Sequence, residues 1–552
     1  MLLKIRTTKK MPVLWKCLLC LCLLLSEMND KVGGTTVDLQ KTCPTTSSTT
    51  CLLKNLTDSY EDSLKLDTSA AMPALQVLVV QNSALRRIPS QLLEVMPNLQ
   101  KILMFSCGLN NLNEKDFTGL RHLKVLTLED NSIFTIGKNV FQPVGETLEE
   151  LQLRSNRIHI LNRQTFGGLK QLKYLDVSYN NIISLQGGVF DDLPNLEHLD
   201  MSHNNLEAID GQTLAKNLKL ITLNLSDNKI SVFEPNSLMH FEHLRMLDLS
   251  NTLLEEIYLK SVDLLQISNS GLKNCNINGG VLRLVAANNS LSGIKITNKL
   301  QVQEIYIQGN HLESLDDFQG MLNLRTLDIS HNHISRLTSL RSSAIYLHLP
   351  NLEHLNLANN RLRDLSPNDF LMMSKLHSLD LSHNHLLQLP PTLLKPLIDL
   401  QHLFVDNNYL VEFNCTQIKQ QNTNLQQISL DQNDWEDEYQ GNLLLLLQKQ
   451  NITVTTRHKS DDNVEFESYN TPSQQSLDRL ERYEKQQLIG VSGIHPYWTL
   501  RDVLALLTLL LVLLILLLQF FRILQEEQCC RRRFFQRDHE AEQPLVHNSS
   551  VL

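Results

Sequence analysis

The stretch Leu148-Glu-Glu-Leu151-Gln-Leu153-Arg-Ser-Asn156-Arg-Ile158 reads L-x-x-L-x-L-x-x-N-x-L, and the register returns at Leu172, Leu196 and Leu220, each 24 residues on. No other feature constrains the fold as much. Sixteen starts follow one another: Leu75, Leu99, Leu123, Leu148, Leu172, Leu196, Leu220, Leu244, Val262, Val281, Val302, Leu324, Leu352, Leu376, Leu400 and Leu425. The L-x-L alternation predicts a short strand with one face inward. Asn131, Asn156, Asn180, Asn204 and Asn228 fall at the turn that follows, where an amide can satisfy backbone groups of neighbouring turns. No single unit can bury its leucines alone, so the units must stack. The expected fold is an α/β solenoid over residues 75–434, a curved horseshoe with a concave parallel β-sheet.

The spacing is uneven. Units starting at Leu244, Val262, Val281 and Val302 are 18, 19, 21 and 22 residues long. They lack the Phe-x-x-Leu segment seen at Phe117–Leu120 and Phe190–Leu193, so curvature or twist should change there. The unit from Leu324 runs 28 residues, and its insertion near residues 338–345 should bulge from the convex side or an edge.

Both ends report on location. Lys4, Arg6, Lys9 and Lys10 precede the apolar run Cys17–Leu25, as in a secretory signal, here residues 1–26. The Cys17-x-x-Cys20 spacing inside that run reads as apolar signal text. Residues 27–74 form an N-terminal cap, in which Cys43 and Cys51 flank a polar loop and should pair in an oxidising compartment. A C-terminal cap is expected over 435–456 and a juxtamembrane stalk over 457–500. One transmembrane helix follows at 501–521, with Tyr497 and Trp498 before it as interfacial aromatics. Arg522, Arg531, Arg532, Arg533 and Arg537 come after it, which puts the tail, 522–552, in the cytoplasm and the N-terminus outside at the plasma membrane.

Net charge is −9, from 50 Lys+Arg against 59 Asp+Glu, so no basic excess points to nucleic acid. Catalytic signatures (H-E-x-x-H, G-x-S-x-G, a Walker loop, GxGxxG) are absent, and neither enzyme activity, metal nor cofactor is expected. Glycan acceptors are Asn55, Asn224, Asn288, Asn414 and Asn451. Asn224 lies between Leu223 and Leu225 and so points out of the concave sheet; a glycan there would steer a large ligand to one end, an edge or the convex side. Outward concave positions in the first units are apolar: Val77, Val79, Leu103, Phe105 and Val125. They form a ligand surface or lie under the N-terminal cap. Asp176, Asp200 and Asp248 belong to the L-D-L-S repeat text. His331, His354, His383 and His402 fall on or beside neighbouring strands, as a pH-sensitive or metal-binding face or as S-H-N repeat text.

Cys107 replaces a ladder asparagine and Cys275 sits on a core position, so both read as buried thiols. Cys415, beside the sequon Asn414-Cys-Thr416, is left over; it is either shielded or forms an intermolecular disulfide in a homo- or heterodimer. In the tail, Cys529 and Cys530 stand before three arginines as candidate palmitoylation sites. The end Ser549-Ser550-Val551-Leu552, with Ser550 and Leu552 as anchors, fits a cytoplasmic PDZ groove.

Residues 75–434 resemble extracellular leucine-rich-repeat proteins. The short middle units, with Ala286-Ala-Asn-Asn289-Ser-Leu291, resemble Toll-type ectodomains, and still more the mosquito leucine-rich-repeat immune proteins with their transmembrane subgroup. The run from Leu425 to Trp435, then Leu443–Leu447 and Ile452, resembles their C-terminal cap. Glu436-Asp437-Glu438 stands where the usual cap continues with cysteine, which agrees with Cys415 having no local partner. The resemblance implies a cell-surface receptor or co-receptor of innate immunity that binds an extracellular protein or a pathogen-derived ligand. The same architecture also serves cell adhesion or guidance.

Overall fold

The computed structural model describes residues 36–43, 49–57, 65–67, 71–234, 238–337, 347–390 and 392–455. The signal, stalk, membrane-span and tail expectations lie outside the described residues, as do the insertion near 338–345, Cys529, Cys530, Ser550 and Leu552. The chain divides into two units, residues 1–458 and 459–552, and every described residue is in the first.

Each of the sixteen predicted starts opens a coil with a parallel strand. Tyr174–Asp176 pairs with His198–Asp200, and that strand with Thr222–Asn224, leucine beside leucine at every step. Strict register follows because a one-residue slip would turn every leucine to solvent. Leu151, Leu175 and Leu223 are fully buried and Leu199 is 1% exposed. The sheet gains a strand at each end. Thr50–Lys54, from the N-terminal cap, pairs with Val77–Gln81. Thr453–Val454, beyond the last repeat, pairs with Gln427–Ser429. Among the described residues neither end strand has a second partner in this sheet, so the sheet is open.

After each strand comes a corner. The residue before the ladder position takes a left-handed φ, +52° at Tyr179, +51° at His203, +54° at Asp227 and +53° at His331. Asn, Asp and His tolerate that region best among non-glycine residues. The next side chain enters the stack. Asn180 accepts at Oδ1 from the Ile158 N–H (3.0 Å), and its Nδ2 donates to the carbonyls of Leu153, Val177 and Ser178 (3.0, 3.1 and 3.1 Å). Asn131, Asn156, Asn204 and Asn228 repeat this pattern. Cys107 fills the same place with its thiol donating to the Val80 and Phe105 carbonyls. Thr252 and Ser270 do so with hydroxyls.

Across the core, Phe117, Phe141, Phe166 and Phe190 stack in file, with centroids 5.8, 6.4 and 6.0 Å apart. Three of the four short units have strands in place of that segment, and the fourth, from Val302, has the 3-10 turn Asp316–Phe318 with Phe318 fully buried. Glu256–Leu259, Asn274–Ile277 and Ile294–Ile296 form a second, three-stranded parallel sheet, and Cys275 is buried on its middle strand. At the far end, Trp435 donates Nε1–H to the Leu430 carbonyl (2.9 Å) and stacks on Tyr439 of the helix Asp437–Lys449. Leu443, Leu447 and Ile452 close the core there.

Candidate ligand-binding face

Every concave strand offers two outward side chains between its buried ones, and parallel register puts equivalent positions side by side about 4.8 Å apart. In the first coils one row runs Leu52, Val79, Leu103, Thr127 and the next Thr50, Val77, Lys101, Val125. Phe105 lies beyond them, beside Gln81. Val77, Val79, Leu103, Phe105 and Val125 are all half-buried, and Leu52 is 40% exposed. The described part of the cap joins this sheet edge to edge, and its strand adds Leu52 to the apolar rows. Reading the repeats alone misses Leu52, because its strand precedes the first repeat start; the only signal is the alternation of Thr50–Lys54.

The middle of the face is acidic, and the structure explains why. Asp176 accepts from the Ser178 N–H (2.8 Å), and Asp200 from both the N–H and hydroxyl of Ser202 (2.9 and 2.7 Å). Asp248 accepts from the Ser250 N–H at 2.9 Å. Burial pushes the Asp176 and Asp248 carboxyls above the usual carboxylate range. These carboxylates brace the strand ends. Asn224 does the same for Ser226 while donating to Asp200 Oδ2 (3.2 Å), and is half-buried. The other acceptors, Asn55, Asn288, Asn414 and Asn451, are exposed.

Farther on, Arg283 Nε meets Glu304 Oε2 at 3.2 Å, and the guanidinium sits 5.0 Å from the Tyr306 ring centre. Burial raises the Tyr306 hydroxyl to about 12. Sequence reading missed this group, though Arg283 and Glu304 share one register position in successive units. The four histidines do not make one face. His354 and His402 lie on concave strands with Ser378 between them, whereas His331 and His383 occupy left-handed corners. Burial lowers the His354 and His402 imidazoles. Among the described residues no group of three His, Cys, Asp or Glu side chains is placed to hold a metal ion.

Cys43 and Cys51 form a disulfide. Of the two readings of Cys415, its placement agrees with the shielded thiol. Cys415 begins the helix Cys415–Gln421, is 3% exposed, and has its thiol raised by burial, so it is not presented to a partner chain. The helix start, capped by Asn414 accepting from the Gln417 N–H, folds that thiol into the core.

Models of leucine-rich repeats match residues 146–206, 202–254 and 333–386, and a second such model matches 320–335. Leucine-rich repeat-containing protein 3B of human, cattle and mouse is 33% identical over 89 residues, 16% of this chain. That segment spans about a third of those curated relatives, 33% of their length. Among solved structures, a leucine-rich-repeat protein of Leptospira interrogans is 24% identical, with TM-score 0.51 over 68% of this chain and 93% of that one. The leucine-rich-repeat domain of mosquito APL1 is 22% identical, with TM-score 0.49 over 74% of this chain and 94% of that one. With the repeated ladder, the repeat models mark leucine-rich repeats along this chain, and its fold is the leucine-rich-repeat solenoid that these solved structures share.

Proposed function

We propose that this chain is a single-pass cell-surface receptor or co-receptor of innate immunity, whose outer solenoid takes an extracellular protein or pathogen-derived ligand on its first coils. The observation that carries the reading is the cluster of Leu52, Val77, Val79, Leu103 and Val125 within two adjacent rows, on a sheet whose middle is acidic. Half-exposed apolar side chains on a rigid sheet suit a partner that completes their burial. The N-terminal signal text and the apolar segment 501–521 support the outward orientation. The test is capture of blood-cell and pathogen-surface proteins by the displayed outer part, comparing wild type with Phe105→Ala and Leu103→Ala. Truncating an anchor typically costs about 2 kcal/mol, roughly thirtyfold in affinity. Equal capture by wild type and both variants, at equal surface display, would remove the first coils from the reading. Capture of adhesion proteins of neighbouring cells alone would replace immunity with adhesion.

A further inference from the structure

The last coil ends in a groove between a helix and a strand. The helix Asp437–Lys449 closes with the Asn451 N–H donating to the Gln448 carbonyl (3.1 Å) and the Ile452 N–H to that of Leu447 (3.0 Å). This pair of bonds is a Schellman ending, which needs a left-handed residue where Asn451 stands, at φ +56°. Asparagine tolerates that region. The chain then runs straight into the last strand, Thr453–Val454. Leu444, Gln448, Asn451, Ile452, Thr453 and Val454 line the groove.

The end of the stack is open here in two ways. Leu443 and Leu447 are buried in the core, whereas Leu444 is 40% exposed and Val454 half-buried. In an inner coil such side chains are covered by the next coil. The strand is also an edge. Thr453 donates its N–H to the Gln426 carbonyl (2.7 Å) and Thr455 to that of Ile428 (2.9 Å). Alternation along the strand therefore turns the Val454 N–H away from the sheet. A bare edge beside apolar side chains is a template for another chain.

The residues that build the groove also carry a glycan sequon, Asn451-Ile452-Thr453. At Asn224, Asn288 and Asn414 the nitrogen that takes the sugar already donates within the fold, to Asp200, Asn269 and Gln417 at 3.2, 3.0 and 3.3 Å. Asn451 is exposed, and its Nδ2 has no such bond among the described residues.

We propose that an N-glycan on Asn451 lies in this groove and caps the open end of the solenoid. Asn451 Nδ2 attacks the anomeric carbon of a lipid-diphosphate-linked oligosaccharide. The bond from that carbon to the diphosphate oxygen breaks, the lipid diphosphate leaves, and Nδ2 gives up one proton. The first sugar is then an N-acetylglucosamine. Its C–H face and acetyl methyl suit Leu444 and Val454, and its hydroxyl and acetamide groups have Gln448 and Thr453 beside them. The covalent link holds the sugar at the groove, so no association cost opposes its docking. Carbohydrate beside the edge also bars strand addition by a second copy. The inference rests on the secretory reading of the N-terminus and on no ligand.

The test uses the full chain, expressed in cells that add high-mannose glycans and held in lipid nanodiscs. Thr453→Ser keeps the sequon, and Thr453→Ala removes it with an equally small change. Peptides within 443–455 should exchange hydrogen about tenfold faster in Thr453→Ala than in Thr453→Ser or wild type. Trimming with endoglycosidase H leaves the first sugar and should keep exchange slow. In a Leu444→Gln background the Ala–Ser difference should fall to about twofold or less, as coupling between sugar and Leu444 requires. Ser290→Ala, which removes the Asn288 sequon, should leave these peptides unchanged. Mass spectrometry reads the occupancy of each sequon, and circular dichroism melts confirm that each variant is folded. The inference is overturned by an unmodified Asn451 beside an occupied Asn288, or by fast exchange after trimming. Equal exchange in Thr453→Ala and Thr453→Ser, as when polypeptide or a second copy covers the groove, overturns it too, as does an undiminished difference in the Leu444→Gln background. Every sequon unmodified would overturn the secretory reading with it.

Discussion

Replacing Asn180 with alanine tests the ladder where its bonds can be counted. Asn180 is 5% exposed and gives the Ile158 N–H its acceptor at 3.0 Å. Its own three donations go to carbonyls that each keep another donor: Leu153 retains Asn156, Val177 retains Asn204, and Ser178 retains the Ser155 N–H. The variant therefore orphans one buried donor, at about 1–3 kcal/mol, and removes three donations whose loss is partly covered, about 0.5 kcal/mol each. The expected cost is about 3 kcal/mol, near a hundredfold in a local opening equilibrium. Stability in a stacked-repeat protein is close to a sum of neighbour terms, so the loss should be local. Hydrogen exchange read by mass spectrometry, under conditions where closing outruns exchange, should show peptides covering Ile158 and Asn180 exchanging about a hundred times faster. Peptides around Ile305 should not change. Protection at Ile158 preserved within threefold would refute the reasoning.

Phe141 is fully buried between Phe117 and Phe166. Phe141→Ala should cost about 3–5 kcal/mol, seen as a lower midpoint in a denaturant melt, and a loss below about 1.5 kcal/mol would show that the file of rings repacks. For Asp176, burial raises the folded-state carboxyl above its unfolded value. The charged form thus costs stability above the folded value, and that cost disappears as pH falls through it toward the unfolded one. Asn224 already holds the same Ser bond in the same row, so Asp176→Asn should raise Tm at pH 7.5, with a smaller advantage at pH 4. A lower Tm at pH 7.5, or an advantage that grows on acidification, would contradict this. Cys415, buried in the core, should resist iodoacetamide in the native chain and label after denaturation; rapid native labelling, or a reducible dimer lost in Cys415→Ser, would restore it as a linkage site.

Much of the fold was legible because the repeat writes it many times over. Each start fixes which leucines face in, and all sixteen coils keep that register. The buried roles of Cys107 and Cys275 followed from their repeat positions alone. The apolar concave residues were legible too, since outward positions alternate with inward ones. The cap strand was not: Thr50–Lys54 lies outside the repeat, and only its pairing with Val77–Gln81 puts Leu52 beside Val79. The histidines were placed too coarsely for a similar reason. Register tells that His331 and His354 are near strands, but a corner at φ +53° and a strand position open onto different surfaces.

The sequence by itself determined the period, the inward face and the ladder, because each is a local choice repeated in every coil and only one stacking satisfies them all. Tertiary structure alone decided which side chains from different coils meet. The self-bonded edge from Arg154 to Asn288 and the burial of Cys415 both depend on residues from different coils lying side by side. A side chain's neighbours there come from the stack, and the residues beside it in the chain say little about them.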